Sequence, residues 1–186
     1  MKKLFLTAFA VALCTSVFAE TFFNADGRPR LHCGTARNQQ LVFVPETPGS
    51  DNGYWRIEFG GKSKMAELLA LRDIPLPAFE KELKIEMDIE CPNTAYVVGA
   101  DLRIKDAANE ICVIGGIKRA MRGSFTAVWT ITPGAKVKFS WGGKTNRILD
   151  LPGKITNLAI ALHQPVQCDI LLKNVRFIAD GKPVTQ

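Results

Sequence analysis

The chain has 186 residues and is 47% hydrophobic and 23% charged, with a formal net charge of +6 and a pI near 9.2. Its basic residues are scattered through alternating segments, with no arginine-rich run, so the charge does not point to nucleic acid. No stretch reaches the about 20 apolar residues needed to span a bilayer as a helix.

Lys2 and Lys3 followed by the apolar run Leu4–Leu13 and the small-residue pattern Val17-Phe18-Ala19 form a secretory signal peptide over residues 1–19, cut after Ala19. A lipoprotein reading through Cys14 is disfavoured because Leu13 is bulky where such a site has a small residue. Cleavage leaves residues 20–186, a single domain with a net charge of +4. We expect an exported protein, periplasmic or extracellular.

After a polar start with a turn at Asp26-Gly27, the chain becomes a succession of short β-like runs. We place them at about 31–36, 41–46, 53–59, 65–73, 82–91, 96–105, 111–118, 124–132, 136–141, 154–163 and 168–178. Turn chemistry separates them: Pro48-Gly49-Ser50-Asp51-Asn52-Gly53, Gly60-Gly61, Cys91-Pro92-Asn93, Pro133-Gly134, Gly142-Gly143, Pro152-Gly153 and Asp180-Gly181. Only Lys64–Arg72 has a helix-like face, through Met65, Leu68 and Leu69. Many short strands with no long helical period mean a two-sheet antiparallel β-sandwich.

Alternation picks out the core rows. Leu83, Ile85, Met87 and Ile89 form one; Trp55, Ile57 and Phe59 another. Phe125, Ala127, Trp129 and Ile131 form a third, Val137, Phe139 and Trp141 a fourth, and Leu158, Ile160 and Leu162 a fifth. Trp55 and Trp129 are thereby read as core, whereas Trp141, beside Gly142-Gly143, is also a candidate ligand contact.

Cys14 leaves with the signal peptide, so Cys33, Cys91, Cys112 and Cys168 remain, an even number in an oxidising compartment. Two disulfides are expected, each contributing about 2–4 kcal/mol, with three connectivities open. An up-and-down strand order would put Cys91 and Cys112 at opposite ends of a sheet, which favours Cys33–Cys91 with Cys112–Cys168. No CxxC or Cys/His cluster suggests zinc, and Asp51-Asn52-Gly53 reads as a turn, so no metal site is expected.

Glu86-Met87-Asp88-Ile89-Glu90 resembles the Glu-x-Asp-x-Glu signature of jelly-roll β-glucanases of the laminarinase and lichenase type. The resemblance implies Glu86 as nucleophile, Glu90 as acid/base and Asp88 as the residue that tunes them. A retaining mechanism needs its carboxyls about 5–5.5 Å apart, while Cα atoms four apart on a strand lie about 13 Å apart. The preceding segment offers only Phe79 as an aromatic, and Lys84 interrupts the acidic face, so solvated charge is the favoured reading. His32 and His163 read as surface histidines.

From Leu83 onward the pattern resembles the galactose-binding-like, carbohydrate-binding-module-like β-sandwiches (jelly rolls) of exported bacterial proteins. The resemblance rests on Leu83–Glu90, Leu102-Arg103-Ile104-Lys105-Asp106-Ala107, the strand around Trp129, and Ser140-Trp141-Gly142-Gly143. Leu149-Asp150-Leu151-Pro152, Ile155–Leu162 and the closing Ile170-Leu171-Leu172-Lys173-Asn174-Val175-Arg176-Phe177 complete it. Many such modules hold a structural calcium with an acid in the last strand. Here Lys173 and Asn174 stand there, and Asn109 replaces the glycine usual after the Asp106 turn.

The expected fold is therefore an all-β, disulfide-linked two-sheet sandwich without a cofactor. The expected function is non-catalytic recognition of a glycan or polysaccharide through loops or a concave sheet face. Tyr54, Tyr96, Trp141, Asn146 and Arg147 are the candidate contacts. Two alternatives stay open: a retaining β-glycanase using Glu86, Asp88 and Glu90, and an envelope structural domain with a protein partner.

Overall fold

The computed structural model describes residues 30–31, 39–48 and 53–184. The leader over residues 1–19, His32, Cys33, Asp51 and Asn52 lie outside the described residues. The strands are β1 (Arg30–Leu31), β2 (Gln39–Pro45), β3 (Gly53–Gly60), β4 (Met65–Pro75), β5 (Leu83–Cys91) and β6 (Val97–Lys105). They continue with β7 (Glu110–Gly115), β8 (Gly123–Ile131), β9 (Phe139–Gly142), β10 (Lys154–Leu162), β11 (Gln167–Ala179) and β12 (Lys182–Pro183).

Two antiparallel sheets form the sandwich. The front sheet has the order β1-β4-β10-β6-β7-β9, and the back sheet β2-β3-β11-β5-β8, with β12 on β11. The strands do not run up and down in sequence order: β10 inserts between β4 and β6, and β11 between β3 and β5. Strands adjacent in sequence therefore often lie in different sheets, which is how a jelly roll buries the inner rows of both sheets against each other.

Those rows agree with the alternation. Leu83, Ile85, Met87 and Ile89 meet Trp55, Ile57, Ala127, Trp129 and Ile131 from the back, and Leu102, Ile104, Leu158, Ile160 and Leu162 from the front. Trp129 ties the two sheets together, because its indole Nε1 donates to the carbonyl of Ala100 on β6 at 2.9 Å. A Cβ at Gly116 would come within 2.4 Å of that ring, so only glycine fits there. Phe125 is partly buried against the same core.

The run at 65–73 is a strand despite its helix-like face: β4 pairs with β10 from Ala161↔Met65 to Lys154↔Pro75, and sheet pairing overrides a short apolar spacing. Two expectations are corrected. Phe139 and Trp141 are not core. Val137 is buried, but β9 starts only at Phe139, and this edge strand turns Phe139 and Trp141 outward at 58% and 43% exposure.

Nor is the sandwich disulfide-linked among the described residues. Cys91, Cys112 and Cys168 are free, buried thiols. Cys112 belongs to the front sheet and Cys168 to the back, and each is a free buried thiol, so the expected Cys112–Cys168 pair is not formed here. Burial, reinforced by Asp106, Glu110 and Asp150, pushes the Cys112 thiol up to about 12. Burial, with Cys91 and Asp169 adding to it, pushes Cys168 up to about 11.

Candidate functional site

Each sheet presents one outer face to solvent, and the two differ in chemistry. On the back sheet, β5 presents Glu86, Asp88 and Glu90 outward while its alternate residues fill the core. Beside it, β11 carries a bulge between Lys173 and Arg176, with Asn174 at φ 47°. One extra residue resets the alternation. Ile170 and Leu172 point inward before the bulge and Val175 and Phe177 after it, so Lys173 and Arg176 both reach the outer face.

The result is a ladder of ion pairs. Arg176 donates Nη1 and Nη2 to the two oxygens of Asp88, each at 2.9 Å, and Nε to Glu86 at 3.2 Å. Lys173 Nζ lies 2.7 Å from Glu90 Oε2. Asn174 and Thr126 also donate to Asp88. The Arg176 hydrogen bonds outweigh desolvation and hold the Asp88 carboxyl far below the usual carboxylate range. Each acid of the Glu-x-Asp-x-Glu row thus has a cation in contact.

Tyr54 stands on the same face, with Lys173 Nζ 5.1 Å from its ring centroid. With Arg56, Glu90, Thr94, Gln167 and Asp169 it lines an open depression of about 660 Å³. The residues at the last strand do not fit the calcium implied by the family resemblance. Lys173 occupies the position of the expected acid, and the nearby carboxylates are engaged by Lys173 and Arg176.

Asn146 and Arg147 belong to the loop that follows β9. Their backbone N–H groups donate to the two oxygens of Glu110, at 3.0 and 2.8 Å, and the Asn146 side chain caps the N–H of Ile148. Glu110 is fully buried. The Ser140 hydroxyl and the N–H groups of Arg147, Asn146 and Thr145 hold its carboxyl below the ordinary value against desolvation. Nearby, Asn109 adopts φ 60°, the left-handed conformation that a glycine in this turn supplies and asparagine tolerates. Tyr96 lies elsewhere, 42% exposed, with Arg122 donating to its hydroxyl at 3.0 Å.

The outer face of the front sheet carries the exposed aromatics Phe139 and Trp141. The register places Leu69, Asn157, Arg103, Val113 and Phe139 in one row across five strands, which at about 4.8 Å per strand spans about 19 Å. In the row beside it, Glu67, Ala159, Asp101 and Gly115 follow one another. On the other side, Lys105 faces Ile111, and Ile111 faces Trp141.

Long side chains join these rows. Glu67 accepts from Arg103 Nη1 and from Asn157 Nδ2, the latter at 2.7 Å. The Arg103 guanidinium lies 5.1 Å from the Trp141 ring centroid. Since β6 and β9 are two strand spacings apart, about 9.6 Å, the side chains of Arg103 and Trp141 meet above β7. Asp101 sits among Gly99, Gly115, Ala159 and Ala161, whose small side chains leave a dip around its carboxylate. It accepts no hydrogen bond from the described residues, and burial raises its pKa against the pull of Arg103.

Of the five residues expected from sequence, the structure brings Trp141, Asn146 and Arg147 to one edge and leaves Tyr54 and Tyr96 apart. Glu67, Asp101, Arg103, Phe139 and Asn157 were missed. The signal for two of them was present: Gly99, Asp101, Arg103 and Lys105 are the outward positions of an alternating strand.

No family model and no curated protein matches the sequence. Solved structures do match the fold. The family 11 carbohydrate-binding module of Clostridium thermocellum, solved with a β-1,3-1,4-mixed-linked tetrasaccharide, aligns with a TM-score of 0.53 and 14% identity over 85% of this chain and 91% of its own. An exo-β-agarase aligns with a TM-score of 0.53 and 11% identity over 91% of this chain, which spans only 25% of the enzyme. At these identities the likeness is one of fold. The chain has the β-sandwich of the carbohydrate-binding modules, and no described helix is long and apolar enough to cross a membrane.

Proposed function

We propose that this is an exported, non-catalytic glycan-binding domain whose ligand lies across the outer face of the front sheet. One observation carries the reading: an exposed tryptophan on the outer face of a sheet is in contact with Arg103, which the Glu67–Asn157 network holds. Sugar recognition needs an apolar ring for the C–H face of a pyranose and fixed polar groups for its hydroxyls. Trp141 and Phe139 supply the first. Arg103, held in place by Glu67, and Asp101, with unused acceptor capacity, supply the second. A protein of the same fold holds a mixed-linked tetrasaccharide, which is consistent with this use.

The back face suits the role less well. Its charges are spent on each other along the ladder. The glycanase alternative asks Glu86 and Glu90 to act as a pair, but each is engaged by a different cation along the strand.

Affinity gel electrophoresis of the mature chain against a panel of soluble polysaccharides tests the reading. Retardation by at least one polysaccharide is expected, abolished by Trp141→Ala and Asp101→Ala and kept by Tyr54→Ala. Release of reducing sugar that Glu86→Gln abolishes would replace it with the glycanase reading. Absence of all glycan binding, with a stable partner recovered by pull-down, would replace it with the protein-interaction reading.

A further inference from the structure

Residues 97–162, which supply four of the six front-sheet strands, carry ten Lys and Arg against four Asp and Glu. Two of those four acids, Asp106 and Glu110, are buried and bind backbone N–H groups, so they neutralise nothing at the surface. The excess has a focus. Lys154 on β10 and Lys105 on β6 are directly opposite one another. Their neighbours Ile155 and Ile104, also opposite, point into the core, so both lysines face outward. Like charges in direct cross-strand opposition destabilise a sheet. Among the described residues neither lysine has an acidic partner within ion-pair distance.

The same row continues from Lys105 through Ile111 to Trp141. Lys105 and Trp141 flank Ile111 in that row, two strand spacings or about 9.6 Å apart, a gap on the scale of one sugar unit and its acidic substituent. At the opposite end of the face, the Asp101 carboxylate in its dip of small residues repels an anion and accepts hydroxyls. The face is therefore electrically polarised along its strands.

We propose that the glycan bound here is anionic, with a carboxylate or sulfate seated between Lys105 and Lys154 and neutral hydroxyls over Asp101. The inference rests on the glycan-binding reading of this face and adds its ligand class. Uronates and sulfate esters share the chemistry, and the probes distinguish them.

The test measures affinity of the mature chain for polygalacturonate, a sulfated galactan, a neutral galactan and a neutral mixed-linked β-glucan, each at low and at raised salt. One of the two anionic glycans should bind about tenfold or more tightly than the neutral ones, with a preference that weakens as salt rises. The double variant Lys105→Gln/Lys154→Gln, which relieves repulsion and so keeps the fold, should bring anionic binding down to the neutral level. Lys118→Gln/Arg119→Gln, on the β7–β8 loop, should leave it unchanged. Neutral glycans binding as well as anionic ones would overturn the inference while leaving the glycan-binding reading intact. Equal losses from both double variants, or equal binding of polyglutamate or a single-stranded oligonucleotide, would reduce the effect to bulk charge and overturn it too. No binding of any glycan would remove the underlying reading and the inference with it.

Discussion

Replacing Trp141 with alanine is the most direct probe of the front-sheet face. A tryptophan side chain offers roughly 250 Å², and Trp141 is 43% exposed, which leaves about 110 Å² open to a ligand. A pyranose covering half of that area and burying an equal area of its own removes about 110 Å² from water. At about 25 cal/mol per Å² this contributes about 2.7 kcal/mol, or about a hundredfold in Kd. Trp141→Phe keeps a smaller ring and should fall between the two. The fold should tolerate the change, since the ring lies on an edge strand and its contact with Arg103 is worth about 0.5–1 kcal/mol. Isothermal titration calorimetry with a polysaccharide that retards the parent protein gives the Kd, and a melting curve checks folding. A folded Trp141→Ala protein with unchanged Kd would refute the placement of the ligand, as would an equal loss from Tyr54→Ala.

Other outcomes follow from the charges. Asp101 has a pKa raised by burial, so the acceptor assigned to it in the proposed binding mode is lost as pH falls through that raised value. Binding followed by titration calorimetry should weaken on acidification, starting above the pH at which an ordinary aspartate titrates, and Asp101→Asn should flatten that dependence. Asp88 has a depressed pKa, so its stabilisation is present above the unfolded value near 4 and disappears as pH falls toward the folded one. Asp88→Asn should cost about 2 kcal/mol in urea unfolding at pH 7 and progressively less below pH 4. Glu110→Gln leaves the N–H groups of Asn146 and Arg147 with one good acceptor in place of two. It should lower the melting temperature by several degrees and raise hydrogen exchange in residues 142–148 without changing the rest of the sandwich.

Strand positions over residues 39–48 and 53–184 were legible to within a few residues because period-two alternation is local and the turns carry their own chemistry. The row Leu83, Ile85, Met87, Ile89 needed nothing else. What failed depended on information that is not local. Val137, Phe139 and Trp141 share a parity, but Val137 belongs to the loop held by the Lys136↔Ile148 bridge, and the parity does not carry across into β9. Even numbers of cysteines reflect compartment, whereas pairing requires that the thiols meet, and which thiols meet depends on a crossover strand order that is not local. Glu67, Asn157 and Arg103 could not be grouped from sequence, because β4, β10 and β6 become neighbours only through the crossover order. The carboxylate row at Glu86–Glu90 was read as solvated charge, yet its partners Lys173 and Arg176 reach it only because of a bulge that no alternation pattern reveals.

The grip of Glu110 on the loop after β9 has one more consequence. It holds peptide N–H groups, which every residue except proline possesses, and so places few demands on the side chains it positions. Gly143 is fixed, since a Cβ there would meet the carbonyl of Ala108 at 2.4 Å. Lys144 carries no comparable constraint, whereas Thr145 at φ 51° and Arg147 at φ 61° sit in the left-handed region that few side chains favour. At this edge of the proposed binding face, the side chain at position 144 can thus be exchanged while the backbone mount stays the same.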